Sequence, residues 1–120
     1  MALTHEDVPA DFDPEWQQVL SGFEARFGKK PELEAMLFLI GINELGQLQH
    51  NFSKEQKQDL MHVAVCTLLS YEGYYTFAGR DADGWPQWQV SKALPELPNA
   101  EQELLIKKNI IHYFKIHQII

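Results

Sequence analysis

Apolar residues along this chain recur at helical spacing in four separate stretches. Trp16, Val19, Leu20, Phe23 and Phe27 stand three or four positions apart and predict one helix with a single apolar face. Asp13-Pro14 is its start signal: Asp caps free N–H groups, and Pro at the first helical position loses no intrahelical bond. Gly28 ends it. Pro31 opens a second helix, with Glu32 and Glu34 in its first turn, where the helix dipole favours anions. Its apolar face is Leu33, Met36, Leu37, Ile40, Gly41, Leu45 and Leu48. Gly41 and Gly46 each weaken a helix by roughly 1 kcal/mol relative to Ala, so they predict either a close helix–helix approach or a kink.

Ser53 followed by Gln56 is a capping-box pattern and starts a third helix. The run Leu60–Leu69 is apolar nearly all round, which predicts a central, buried helix stopping near Gly73. Asn99 with Gln102 gives a weaker capping signal for a last helix that runs from Ala100 almost to the end. Leu104, Leu105, Ile106, Ile110, Ile111, Tyr113, Phe114, Ile116, Ile119 and Ile120 cover more than one side of it. Part of that surface is expected to pair with another chain.

The stretch 74–90 departs from this patterning. It is rich in strand formers, including Tyr74, Tyr75, Phe77, Trp85, Trp88 and Val90. Asp81-Ala82-Asp83-Gly84 suits a type I turn with Gly in the left-handed position, as in a bulged hairpin. Two registers are feasible, one placing Ala78 and the other Phe77 opposite Trp88, and a one-residue slip would exchange the buried aromatics. The fold class is therefore mainly α: a four-helix, bundle-like single domain with one β-hairpin, about 74–90, inserted before the last helix. Residues 1–12 read as a loose tail and 13–120 as the helical domain.

Composition narrows the classes of function. At 120 residues and 45% hydrophobic, the chain can bury a core without disulfides or metals. The net charge of −7 disfavours nucleic-acid binding, which needs a basic face, and anionic membrane surfaces for the same reason. Lys107, Lys108 and Lys115 share the last helix and read as a solvated face. Cys66, the single cysteine, allows no intrachain disulfide and fits a reducing, cytoplasmic setting. No apolar run approaches the ~20 residues of a membrane span.

The residues that could carry chemistry are few. Glu44 lies in register with the apolar face of the second helix. Asp59 and His62 are neighbours on one face of the third. A carboxylate-x-x-His pair with a carboxylate from another helix is raw material for a bundle metal site, so Glu44, Asp59 and His62 are the candidate metal ligands. The same residues also suit a buried pair that satisfies itself. Tyr71, Arg80, Trp85 and Trp88 join Glu44 and His62 as candidate small-ligand contacts, Arg80 through its guanidinium and the tryptophans by stacking. Cys66 stands one helical turn after His62, but a nucleophilic dyad on a buried helix leaves little access for a substrate. Asp81-x-Asp83-Gly84 fails as an EF-hand loop, because Lys92 occupies the twelfth position where a Glu is needed. His112 and His117 do not share a helix face well. No phosphate-binding loop, zinc-protease motif, nucleophile elbow or dinucleotide fingerprint is present.

These observations favour a small soluble, cytoplasmic, non-catalytic interaction or scaffold module. It would self-associate as a homodimer through apolar helix surface, with a protein partner also compatible, and the reading implies no cofactor, nucleic acid or membrane. The alternative is a metal- or small-ligand-binding protein, open to an enzymatic role, with a Glu/His site between the second and third helices under the aromatic hairpin.

Overall fold

The computed structural model describes residues 14–47 and 51–117. The element order is α1 (Pro14–Phe27), α2 (Leu33–Leu45), α3 (Lys54–Ser70), β1 (Tyr75–Arg80), β2 (Pro86–Val90) and α4 (Asn99–Ile116). The protein is mainly α, with four helices and an antiparallel hairpin before the last of them. Packing groups α1 with α4 in one compact unit and α2, α3 and the hairpin in another.

In the first unit, Trp16, Val19 and Phe23 of α1 are buried, as are Leu104, Ile110, Ile111, Tyr113 and Phe114 of α4. Phe23 stacks on Phe114 with ring centroids 5.2 Å apart. Lys107 lies over the Trp16 ring and 3.4 Å from Glu103, and Lys115 pairs with Glu15. Two of the three α4 lysines are thus engaged inside the unit. The expected Asn99 cap is not used. Pro98 is the N-cap, and its carbonyl accepts from the N–H groups of Glu101 and Gln102. The cap shift moves Gln102 out of the N3 position, and its amide donates to the Leu97 carbonyl. The expected free side of α4 is also smaller than its sequence implies. Ile116 is exposed, whereas Leu105 and Ile106 are half-buried. Asp13, Leu48, Ile119 and Ile120 lie outside the described residues.

The second unit is organised on α3. Its capping box forms as expected: Ser53 Oγ accepts from the Gln56 N–H, and Gln56 Oε1 accepts from the Ser53 N–H. Leu60, Val63, Ala64, Cys66, Thr67, Leu68 and Leu69 are buried. The helix closes at Gly73 (φ 84°), where the N–H of Tyr74 donates to the Leu69 carbonyl in a Schellman arrangement. Gly41 supplies the close approach between α2 and α3. A Cβ built there would stand 2.1 Å from the Leu60 carbonyl oxygen. Gly46 has a different role. It lies past the end of α2, which stops at Leu45 rather than continuing to Leu48, and caps it in the left-handed conformation.

The hairpin register places Tyr75 opposite Val90, Thr76 opposite Gln89 and Phe77 opposite Trp88, with a bulge between Phe77 and Arg80. Of the two feasible registers, the one pairing Phe77 with Trp88 is the one adopted. Directly opposed residues share a sheet face, as do alternate ones along a strand. One face therefore carries Tyr75, Phe77, Trp88 and Val90, and the other carries Thr76, Gln89 and Ser91. Pro86 is the first residue of β2, a position strands tolerate for Pro.

Candidate functional site

The turn of the hairpin is built by Asp81. Its Oδ1 accepts from the N–H groups of Asp83 and Trp85, and its carbonyl accepts from the Gly84 N–H. This is the expected Asp-initiated turn with Gly84 at positive φ. Two contacts tie the turn to the end of α2. Gln47 donates to the Asp83 carbonyl at 2.6 Å. Arg80 donates to the carbonyls of Glu44 at 2.8 Å, Leu45 at 3.2 Å and Gly84 at 2.7 Å. The last carbonyls of a helix have no intrahelical partners and carry partial negative charge, so a guanidinium fits there. Arg80 is accordingly a clasp between α2 and the hairpin, and its three backbone contacts engage the group that would otherwise bind an anionic ligand.

Held in this way, the hairpin leaves an open cleft of about 410 Å³ against α3. Gln56, Asp59, His62 and Val63 line it from the helix, and Asp81, Asp83, Trp85, Pro86, Gln87 and Trp88 from the hairpin. Four residues singled out from the sequence thus meet here: Asp59, His62, Trp85 and Trp88. Glu44, Tyr71 and Arg80 are not among the lining residues. This cleft lies between α3 and the hairpin, while α2 and α3 come into close contact where Gly41 meets Leu60. Among the described residues, no group of three His, Cys, Asp or Glu side chains is placed to hold one metal ion, and that applies to Glu44, Asp59 and His62 together.

His62 is exposed, contrary to its expected place inside a buried run. The helix around it is covered on most sides, but His62 opens onto the cleft. Its Nε2 lies 3.5 Å from the sulfur of the fully buried Cys66. Burial pushes the Cys66 thiol from 9.0 up to about 11, so the thiolate is scarce near neutral pH and the pair is no activated nucleophile. Glu44 has its electrostatic effect elsewhere. Burial first, and the Glu44 carboxylate second, push the Tyr71 phenol above its ordinary value.

Sequence reading weighs Asp81 and Asp83 only as an EF-hand loop, which fails at Lys92, and leaves them as a plain turn. They do build the turn, yet they also line the cleft. The Nε1–H of Trp88 is buried and has no hydrogen-bond partner. No family model, curated protein or solved structure matches this chain. Among the described residues, no helix is long and apolar enough to cross a membrane.

Proposed function

We propose that the protein is a small, non-catalytic interaction module that self-associates through the apolar face of its hairpin. The observation that carries this reading is exposure. Phe77 is 51% and Val90 69% exposed, although both lie on the face that also presents Tyr75 and Trp88. Large apolar side chains gathered on one exposed face mark association surfaces more often than singly scattered ones do. A two-stranded sheet also leaves an outer edge on each strand, and such edges pair readily with a strand from another chain. Edge pairing would extend the sheet in its plane, and a second copy stacked on the apolar face would cover Phe77 and Val90. The single cysteine fits a cytoplasmic setting, and its burial and high pKa support a non-catalytic role.

The test is sedimentation velocity over a concentration series, with a Phe77→Ser/Val90→Ser variant beside the wild type. The expected result is a concentration-dependent dimer that the variant loses at unchanged melting temperature. Association should tighten with added salt, because each chain carries a net charge of −7 whose repulsion salt screens. A wild type that stays monomeric at every concentration and salt level would refute the reading.

A further inference from the structure

We infer that two copies of the chain join edge to edge along β1, in antiparallel register about Thr76, to form one four-stranded sheet. This rests on the self-association proposed above and names the strand at which the copies meet. The Ser91 N–H donates to the Tyr74 carbonyl, one step beyond the Tyr75–Val90 pair. Bonded and non-bonded pairs alternate along an antiparallel ladder, so Tyr75–Val90 and Phe77–Trp88 are non-bonded pairs. The N–H and C=O groups of these four residues therefore point outward from the edges of the hairpin. Among the described residues no hydrogen bond engages them. The residues that form the apolar face thus also carry the open edges.

The two edges are not equivalent. On β2 the outward positions run from Val90 and Trp88 on to Pro86, because the bond from the Asp81 N–H to the Trp85 carbonyl makes Arg80–Pro86 a non-bonded pair as well. Pro86 has no N–H to offer and is buried, and Trp88 is half-buried. On β1, Thr76, Phe77 and Ala78 are exposed in succession, and no proline or charged residue stands between Tyr74 and Gly79. A chain with a net charge of −7 can meet its own copy there without opposing like charges. The bulge after Phe77 leaves Tyr75 and Phe77 as the regular outward positions, and this fixes the register. Only a two-fold axis at Thr76 lets the outward groups of both residues bond in both copies, with Tyr75 of one opposite Phe77 of the other. That register sets aromatic side chains beside each other on the apolar face and Thr76 opposite Thr76 on the other face, both favourable cross-strand pairs. It also replaces a two-stranded sheet by one of four strands with a continuous apolar face, a more stable arrangement.

Sedimentation velocity on the full chain compares the wild type with Thr76→Lys and Gln89→Lys. Thr76 and Gln89 are exposed and opposed on the face away from Phe77 and Val90, so neither substitution touches the apolar face. Thr76→Lys sets two ammonium groups opposite each other at the two-fold axis and should weaken the dimer about tenfold or more. Gln89→Lys, one strand further out, should leave it unchanged. In a second measurement Thr76→Cys and Gln89→Cys are oxidised in the native state. The Cα atoms of a directly opposed non-bonded pair stand about 4.5 Å apart, within the span of a disulfide. A covalent dimer is therefore expected for Thr76→Cys and none for Gln89→Cys, with the buried Cys66 outside the reaction. A wild-type dimer that Thr76→Lys leaves intact, or that Gln89→Lys weakens instead, overturns pairing through β1 and leaves self-association standing. So does a Thr76→Cys chain that dimerises without cross-linking. A wild type that is monomeric at every concentration overturns both. Cross-linking reads the contact itself, so it decides the question even if the lysine variant does not fold.

Discussion

Gly41→Ala is the sharpest probe of how the hairpin-bearing unit is assembled. A Cβ at Gly41 would stand 2.1 Å from the carbonyl oxygen of Leu60, 2.7 Å from its carbonyl carbon and 3.0 Å from its Cβ. Carbon and oxygen do not settle closer than about 3.3 Å, so α2 and α3 would have to part locally by roughly 1 Å. No rotamer change can relieve the contact, because the colliding atoms belong to the Leu60 backbone. A radial gap of about 0.5–1 Å forfeits a quarter to a half of the dispersion attraction of the atoms across it. Met36, Leu37, Ile40, Leu60 and Ala64 are buried in these two helices and would feel that loss. Overpacking of this kind costs about 1–3 kcal/mol, with rigid sites at the upper end. Alanine's better helix propensity returns about 1 kcal/mol. The expected net effect is a destabilisation of about 2 kcal/mol.

Urea denaturation followed by far-UV circular dichroism reads this directly. Gly22→Ala is the control, because Gly22 lies on an exposed face of α1 with nothing within 4 Å of a built Cβ. There the helix-propensity gain acts unopposed, and stability should rise by about 0.5–1 kcal/mol. Opposite signs for the same chemical change are the signature of close packing at Gly41. If Gly41→Ala stabilises the protein as Gly22→Ala does, the two helices do not meet at Leu60 and the reasoning is wrong.

Two further outcomes follow from the same unit. Arg80→Ala should destabilise by about 1–3 kcal/mol, since it leaves three backbone carbonyls without their charged donor. Arg80→Lys should recover little of that, because one ammonium cannot span the carbonyls of Glu44, Leu45 and Gly84 as a planar guanidinium does; equal stability of all three proteins would remove the clasp. Cys66 should resist alkylation in the folded protein at pH 8 and react fully in denaturant, as a buried thiol with a pKa of about 11 requires. The unfolded thiol ionises through pH 9 while the folded one stays protonated until about 11, so Cys66 makes folding less favourable as pH rises through that window. Stability lost less steeply above pH 9 in a Cys66→Ala variant than in wild type would confirm the sign, and rapid native-state labelling would contradict it.

Much of the fold is legible because its signals are local. Ser53 and Gln56 are three positions apart and cap each other within a single turn, so their pattern is also their structure. Asp81-Ala82-Asp83-Gly84 builds its turn from bonds among its own residues and Trp85. Asn99 misled for a local reason too: the preceding proline already holds extended dihedrals (φ −54°, ψ 152°) and takes the capping position. The hairpin register was open in sequence because a slip by one residue leaves the turn signal unchanged; the structure sets Phe77 opposite Trp88, with their rings 5.4 Å apart.

The candidate site was legible by half. Asp59 and His62 lie one turn apart on one helix, so their shared face follows from helical periodicity alone. That Trp85 and Trp88 meet them, and that Glu44 and Tyr71 do not line the cleft, depends on contacts between residues far apart in the chain. Arg80 shows the same limit. An arginine beside tryptophans reads equally well as an anion site, and its use as a clasp depends on the end of α2 lying within its reach. Sequence by itself determined the four helices, the hairpin and its turn, since hydrophobic period, caps and turn residues act over a few positions. Tertiary structure alone decided where a cavity opens and which charged groups face it. Those outcomes follow from contacts between residues far apart in the chain, such as Arg80 with the end of α2 and Gly41 with Leu60.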